Sequence, residues 1–420
     1  MALSRPYQQN GDKENSSYFN EFLEKIYDWR DSVGLVDLIH EMHSVVIEVD
    51  EQDRHAYIEE LMLMTPYRFI KSFENDHFIY TLLEVSQDNP GYVIRSRKNR
   101  DQSRIISMNH LSPVALQKPY TRYIGEVYRV TDIHTVFETL RKAGVEFEED
   151  GIVTHSKVKF ARTAPSQYTW NTVAYIEYPE GKRQYYLEQF PEHAEDAAWL
   201  AQLQTIKKKQ EEVKIAELIQ PIDHLATRVL HQDREHALLE YLKLTSYYFW
   251  GAYEIADQNS STNVTRSAHD YSEFKSPARV FTAANTPHYV DHIVKLPSPT
   301  ESFVINYGKR MHHIAYGVAD NAPGQSYDNV DFVVDRLKEN GIEFLLQVIG
   351  SAEEGLKQIF SRTSKHSLLI TEYVQRFNGF QGFFTKKNVA FLTAAAGEDA
   401  ALKKKSRMGE KDIFDGGEGS

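Results

Sequence analysis

Twelve residues of this chain occur twice in outline, and that repetition limits the folds open to it more than any other feature. Val136-Phe137-Glu138-Thr139-Leu140-Arg141-Lys142-Ala143-Gly144-Val145-Glu146-Phe147 parallels Val333-Val334-Asp335-Arg336-Leu337-Lys338-Glu339-Asn340-Gly341-Ile342-Glu343-Phe344. In each copy apolar residues recur at i, i+3, i+4 and i+7 (Ile133, Val136, Phe137, Leu140; Val330, Val333, Val334, Leu337), which predicts one buried helix face. Gly144 and Gly341 then stand where a helix commonly ends on a left-handed residue. Strand-like runs precede both helices, from Tyr123 to Val130 and from His312 to Val318, and an extended apolar segment follows each glycine.

Two looser copies follow the same plan. One starts at Met42-His43-Ser44-Val45-Val46-Ile47-Glu48-Val49 and continues into a helix near Gln52–Met64; the other starts at Asp223-His224, with a helix near Asp233–Leu242. The reading is an α+β protein of four tandem βαβββ units in two pairs, because repetition at this scale marks a modular architecture. The charge-rich, helical stretch 192–217 joins the pairs, giving a structural domain over 21–191 and a second over 218–399. The polar residues 1–20 and the tail 400–420 are expected to be disordered.

Three strand-like segments carry the chemistry. Pro221-Ile222-Asp223-His224-Leu225-Ala226, Met311-His312-His313-Ile314-Ala315-Tyr316 and Ile370-Thr371-Glu372-Tyr373-Val374-Gln375-Arg376 each set a potential metal ligand in an apolar or aromatic run. Two imidazoles and one carboxylate are the ligand set of an open, non-haem Fe(II) site, which keeps positions free for reactants. Strand alternation sends His312 and His313 to opposite faces. His313 then shares its side with the small residues Ala315 and Gly317, while His312 takes a packing or supporting role. A buried carboxylate at Glu372 needs a cation or donors to compensate it. The first pair of units aligns His43 with His224 and Glu188 with Glu372, but has Gly125 where His313 stands. The expected metal site therefore belongs to the second pair.

Composition narrows the class. A net charge of −12 argues against a general binder of nucleic acid or anionic membranes. With no cysteine, disulfides, thiolate zinc sites and cysteine nucleophiles are excluded. The segment from Met1 to Ser17 lacks the apolar core of a secretory signal, and no run reaches the length of a membrane span. A cytoplasmic protein is the expectation.

From Pro221 to Phe391 the chain resembles the 4-hydroxyphenylpyruvate dioxygenase family of the vicinal-oxygen-chelate superfamily. The resemblance runs through Asp223-His224, His313-Ile314-Ala315, Gly355-Leu356-Lys357-Gln358-Ile359-Phe360, Glu372-Tyr373-Val374-Gln375-Arg376 and Gly382-Phe383-Phe384-Thr385-Lys386-Lys387-Asn388. It implies glyoxalase-like modules, two per domain, closing into open mixed β-barrels. It implies that His224, His313 and Glu372 hold Fe(II), that Gln358 lines the substrate pocket, that Phe384 stacks on an aromatic substrate, and that Ser276 matches a pocket serine. His312, which replaces a family glutamine, counts with the substrate-binding residues. Leu296-Pro297-Ser298-Pro299 lacks the asparagine of the family's corresponding strand. Arg376 is read either as a partner for a substrate carboxylate or as half of a structural ion pair, and Phe383 as core or clamp.

The resemblance implies an enzyme that uses O2 to decarboxylate and hydroxylate an aromatic 2-oxo acid of the 4-hydroxyphenylpyruvate type, the homogentisate-forming class. Dimers or tetramers are common in that family, so a homo-oligomer is a further expectation. Alternatives are a benzylic hydroxylase like 4-hydroxymandelate synthase, another 2-oxo acid dioxygenase, an isomerase or ring-cleaving enzyme on the same scaffold, and a metal- or ligand-binding protein without oxygenase chemistry.

Overall fold

The computed structural model describes residues 10–12, 19–99, 105–269, 276–287, 297–322, 324–380 and 382–407. Four βαβββ modules follow one another. The first has β2 (Ile39–Glu48), the helix Glu51–Met64, β3 (Arg68–Glu74), β4 (Phe78–Glu84) and β5 (Gly91–Arg97), all preceded by a two-residue strand β1 (Asn10–Gly11). The second has β6 (Arg122–Val130), the helix Ile133–Lys142, β7 (Val153–His155), β8 (Val158–Arg162) and β9 (Thr172–Glu177). The third has β10 (Ile219–Arg228), the helix Arg234–Leu244, β11 (Tyr247–Ile255), β12 (Ser260–Ser267) and β13 (Ala278–Ala284). The fourth has β14 (Arg310–Val318), the helix Asn329–Glu339, β15 (Ile349–Ser351), β16 (Leu356–Phe360) and β17 (Ile370–Arg376).

Each module's first strand pairs in parallel with its last, and the two modules of a half join antiparallel through their first strands. The strand orders are β3-β4-β5-β2-β6-β9-β8-β7 and β1-β11-β12-β13-β10-β14-β17-β16-β15. Both are curled, mixed half-barrels, so one architecture is built twice.

Local chemistry explains the repeat. Asp132 caps the helix Ile133–Lys142 by accepting from the backbone N–H groups of His134 and Thr135 at 3.1 Å, which satisfies donors that a helix start leaves unpaired. Ile133, Val136, Phe137 and Leu140 are buried, as are Val330, Val333, Val334 and Leu337 in the matching helix. Gly144 and Gly341 follow these helices with φ of 83° and 84°, values that only glycine adopts without strain.

The two halves share one hydrophobic core and exchange hydrogen bonds reciprocally. The hydroxyl of Tyr175 on β9 donates to the carbonyl of Leu244, at the end of a helix in the other half, at 2.7 Å. Tyr373 on β17 donates to the carbonyl of Met64, at the end of the equivalent helix, also at 2.7 Å. The connecting helix Ala197–Glu212 packs on the first half, where Trp199 stacks on His55 at 3.9 Å between ring centroids.

The termini differ from the disorder expected of them. Asn10 and Gly11 pair in parallel with Gly251 and Ala252 on the edge of the second sheet, and the last helix, Lys386–Arg407, continues past residue 399. Residues 1–9, 13–18 and 408–420 lie outside the described residues. Among the described residues no helix is long and apolar enough to cross a membrane.

Candidate metal centre

The site is built on three adjacent strands of the second sheet. Ala315 on β14 faces His224 on β10 and Glu372 on β17, so these three residues form one row across the sheet. His313 lies two residues along β14 on the same face. The short side chain of Ala315 lets its two long neighbours lean together above it. Nε2 of His224 lies 3.0 Å from Oε2 of Glu372, Nε2 of His313 lies 3.2 Å from the same oxygen, and the two Nε2 atoms are 3.2 Å apart. Among the described residues this is the one cluster of at least three His, Cys, Asp or Glu side chains close enough to share an ion.

The donor set fits a divalent metal. Ligand bonds of about 2.1 Å separate cis donors by about 3.0 Å in an octahedron and about 3.4 Å in a tetrahedron. The observed spacings of 3.0–3.2 Å fall within this range. Both carboxylate oxygens of Glu372 are buried without a directed hydrogen bond, although burying a carboxylate demands compensation. An ion in the triangle would supply it.

Supporting bonds fix the imidazoles. His224 donates from Nδ1 to Oδ1 of Asp223 at 2.7 Å, which turns the lone pair of Nε2 toward the triangle. Arg376 holds that aspartate with both of its terminal nitrogens. Burial alone would raise the pKa of Asp223, but the Arg376 guanidinium and the bond to His224 keep it well below the usual carboxylate range. Burial works against charge on His224 too, yet Glu372 and Asp223 raise it to about 9. Burial raises the pKa of Glu372, and the charge on His224 counters part of the rise. Burial, His224 and Arg228 depress His313, which keeps its ring neutral as a ligand must be.

His312 departs from the alternation rule. Ala226 pairs with His313 but Thr227 pairs with Met311, so His312 is the extra residue of a β-bulge. Both histidines consequently line one cavity, and their Nδ1 atoms lie 2.7 Å apart. Were Nε2 of His313 to hold a metal, its Nδ1–H would donate to His312 and the proton of His312 would sit on Nε2, which is buried and has no partner.

The cavity beside the triad measures about 40 Å³ and is lined by Gln358, Phe360, Phe384, Arg228 and residues of the helix Lys386–Arg407, among others. Gln358 is buried on β16 with its Oε1 unpartnered. Phe384 stands edge-on to the His224 ring at 5.2 Å, while Phe383 packs between Trp250 and Arg376. Ser276 corrects an expectation: it does not line this cavity but a separate cleft with Asp223 and Arg376. Its hydroxyl accepts from the backbone N–H of Met42 at 2.9 Å, because the turn into β13 brings it against the first half. Arg376 likewise forms the structural ion pair. Leu296 lies outside the described residues.

The first sheet corrects the alignment between halves. Ser44 faces Val127 as His224 faces Ala315, and Val127 faces Ala174 as Ala315 faces Glu372. Val46 faces Gly125 as Ala226 faces His313. The positions of the first half that match the three ligands are therefore Ser44, Gly125 and Ala174, which supply neither imidazole nor carboxylate. His43 occupies the place of Asp223, and Glu188 lies in a short helix outside the sheet. Sequence reasoning also passed over Arg228. Its signal was legible: a charge in phase with His224, four residues along one strand face.

A scan against protein-family models finds no match, and neither does a search of curated proteins. Solved structures do match. A triple mutant of 4-hydroxymandelate synthase from Streptomyces coelicolor superposes with a TM-score of 0.59 at 16% identity, covering 86% of this chain and 99% of that one. A xylose isomerase-like TIM barrel/4-hydroxyphenylpyruvate dioxygenase fusion protein gives 0.53 at 14% identity, over 86% of this chain and 53% of that one. The chain therefore shares its overall fold, four βαβββ modules in two half-barrels, with these proteins.

Proposed function

We propose that this protein is an Fe(II)-dependent dioxygenase that decarboxylates and hydroxylates an aromatic 2-oxo acid. One observation carries the reading: two imidazole nitrogens and a carboxylate oxygen 3.0–3.2 Å apart, beside an aromatic-walled cavity. When bound, Fe(II) supplies a redox-active Lewis acid with coordination positions left for the substrate's oxygens and O2.

The chain's residues do the rest. Glu372 offsets one of the metal's positive charges, and Asp223 with Arg376 holds His224 in its ligating tautomer. Phe360 and Phe384 give an aromatic body something to pack against, and with the last helix they keep water from the reacting end. Gln358 offers a polar group inside the same wall. In the overall reaction one 2-oxo acid and one O2 yield CO2 and a hydroxylated acid one carbon shorter, which retains both oxygen atoms. Ring hydroxylation gives a homogentisate-type product, and benzylic hydroxylation a mandelate.

Anaerobic reconstitution with Fe(II), then oxygen-electrode and CO2 assays over a panel of aromatic 2-oxo acids, tests the proposal. The expected result is O2 uptake and CO2 release in equal amounts, with both lost together with metal binding in His313→Ala. Absence of O2 uptake and CO2 release for every acid refutes it. Mass analysis of the product separates ring from benzylic hydroxylation.

A further inference from the structure

Along β10, residues His224, Ala226 and Arg228 alternate onto one face. The register extends them into rows. His224 stands beside Ala278, Ala226 beside Val280, and Arg228 beside Thr282, which in turn pairs with Thr262. From the ligand row outward this face of the sheet therefore passes from ligand, to apolar wall, to a row of one guanidinium and two hydroxyls. Strand rise of about 3.3 Å per residue puts the ends of this series about 13 Å apart.

Arg228 is 3% exposed and forms no hydrogen bond or ion pair among the described residues; its Nη1 is buried and unpartnered. Its neighbour is the Phe303 ring, 5.2 Å from the guanidinium. The buried Arg54, Arg95 and Arg279 each meet a carboxylate, and the buried Arg30, Arg122 and Arg310 donate to backbone carbonyls, whereas Arg228 does neither. Burial lowers the Arg228 pKa to about 9, which leaves it charged at neutral pH. A buried cation without a counter-charge opposes folding. His312, whose unpartnered Nε2 is also buried beside this cavity, stands edge-on to the same Phe303 ring at 4.7 Å.

We propose that Arg228 is a specificity-determining residue: together with His312, Thr262 and Thr282 it receives a carboxylate at the far end of the substrate. The substrate is then a 2-oxo acid with a second carboxylate, held apart from the first by an apolar body. A planar guanidinium matches a carboxylate through two parallel hydrogen bonds and neutralises it, whereas a neutral phenol would leave the cation uncompensated. This rests on the dioxygenase reading only for the end of the substrate that meets the metal.

The test uses a matched pair of probes, 4-carboxyphenylpyruvate and 4-hydroxyphenylpyruvate. Calorimetry on the Zn(II)-loaded protein reads binding without turnover, and O2 uptake on the Fe(II)-loaded protein reads turnover. The carboxylate probe should bind the more tightly. Arg228→Met should weaken that probe by about 100-fold and so reverse or abolish its advantage over the phenol, and Arg228→Lys should restore part of the loss. The ligand-free Tm of Arg228→Met should hold or rise, because an unpaired charge is gone. Equal binding of the two probes overturns the proposal. So does a preference that survives Arg228→Met, or a fall in Tm with loss of both probes alike. Arg228-dependent binding of the carboxylate probe without any O2 uptake would uphold the acid site and remove the dioxygenase reading. Turnover of 4-hydroxyphenylpyruvate with no gain from the second carboxylate would do the reverse.

Discussion

His224 is completely buried, and its two nitrogens serve different partners. Asp223 fixes one, and the triangle with His313 and Glu372 claims the other. In the metal-free protein the acids on both sides raise its pKa to about 9, so an incoming ion must displace a proton. Metal affinity should therefore climb with pH, by about tenfold per unit, until that pKa is reached. Asp223→Asn keeps the shape of the residue but removes its charge. It should weaken metal binding by about 10–100-fold and flatten the pH dependence, because His224 then holds its proton less tightly. Competition titrations against a chelator at several pH values measure both effects, and an unchanged affinity would show that Asp223 does not support the ligand. The adjacency of Asp223 and His224 was legible in the sequence. What holds the aspartate was not, because Arg376 reaches it from β17, across two strand pairings.

At the scale of elements, local periodicity was readable and register was not. The helix faces at Ile133–Leu140 and Val330–Leu337 follow from spacing within one turn-repeat, and the glycines after them follow from helix termination. The bulge at His312 depends on how β14 meets β10, and alternation along a single strand cannot reveal an inserted residue. The same blindness aligned His43 with His224, where cross-strand pairing selects Ser44. Register also shows why Ala315 matters: it separates His224 from Glu372 in their row. Ala315→Leu should fill the space in which the ligands converge, with a stability cost of about 1–3 kcal/mol from overpacking and loss of metal binding. Circular dichroism and metal titration separate the two effects. A folded leucine variant with full metal affinity would mean that the side chains do not close over Ala315.

The whole molecule repeats one fold, and among the described residues only its second copy gathers a cluster able to hold a metal. The first half presents Ser44, Gly125 and Ala174 at the matching positions, and its interior is continuous with that of the second half. The reciprocal tyrosines make this dependence specific. Tyr175 satisfies the carbonyl of Leu244, and Tyr373 that of Met64, so each half terminates a helix of the other. Deleting either hydroxyl leaves a buried carbonyl without its donor, at a cost of about 1–3 kcal/mol. Tyr175→Phe and Tyr373→Phe should each lower the Tm of the entire protein. Unfolding should remain one cooperative transition when followed both by whole-chain calorimetry and by release of metal from the second half. Two separated transitions, with metal retained after the first, would show that the halves fold independently and that the shared core does not couple them.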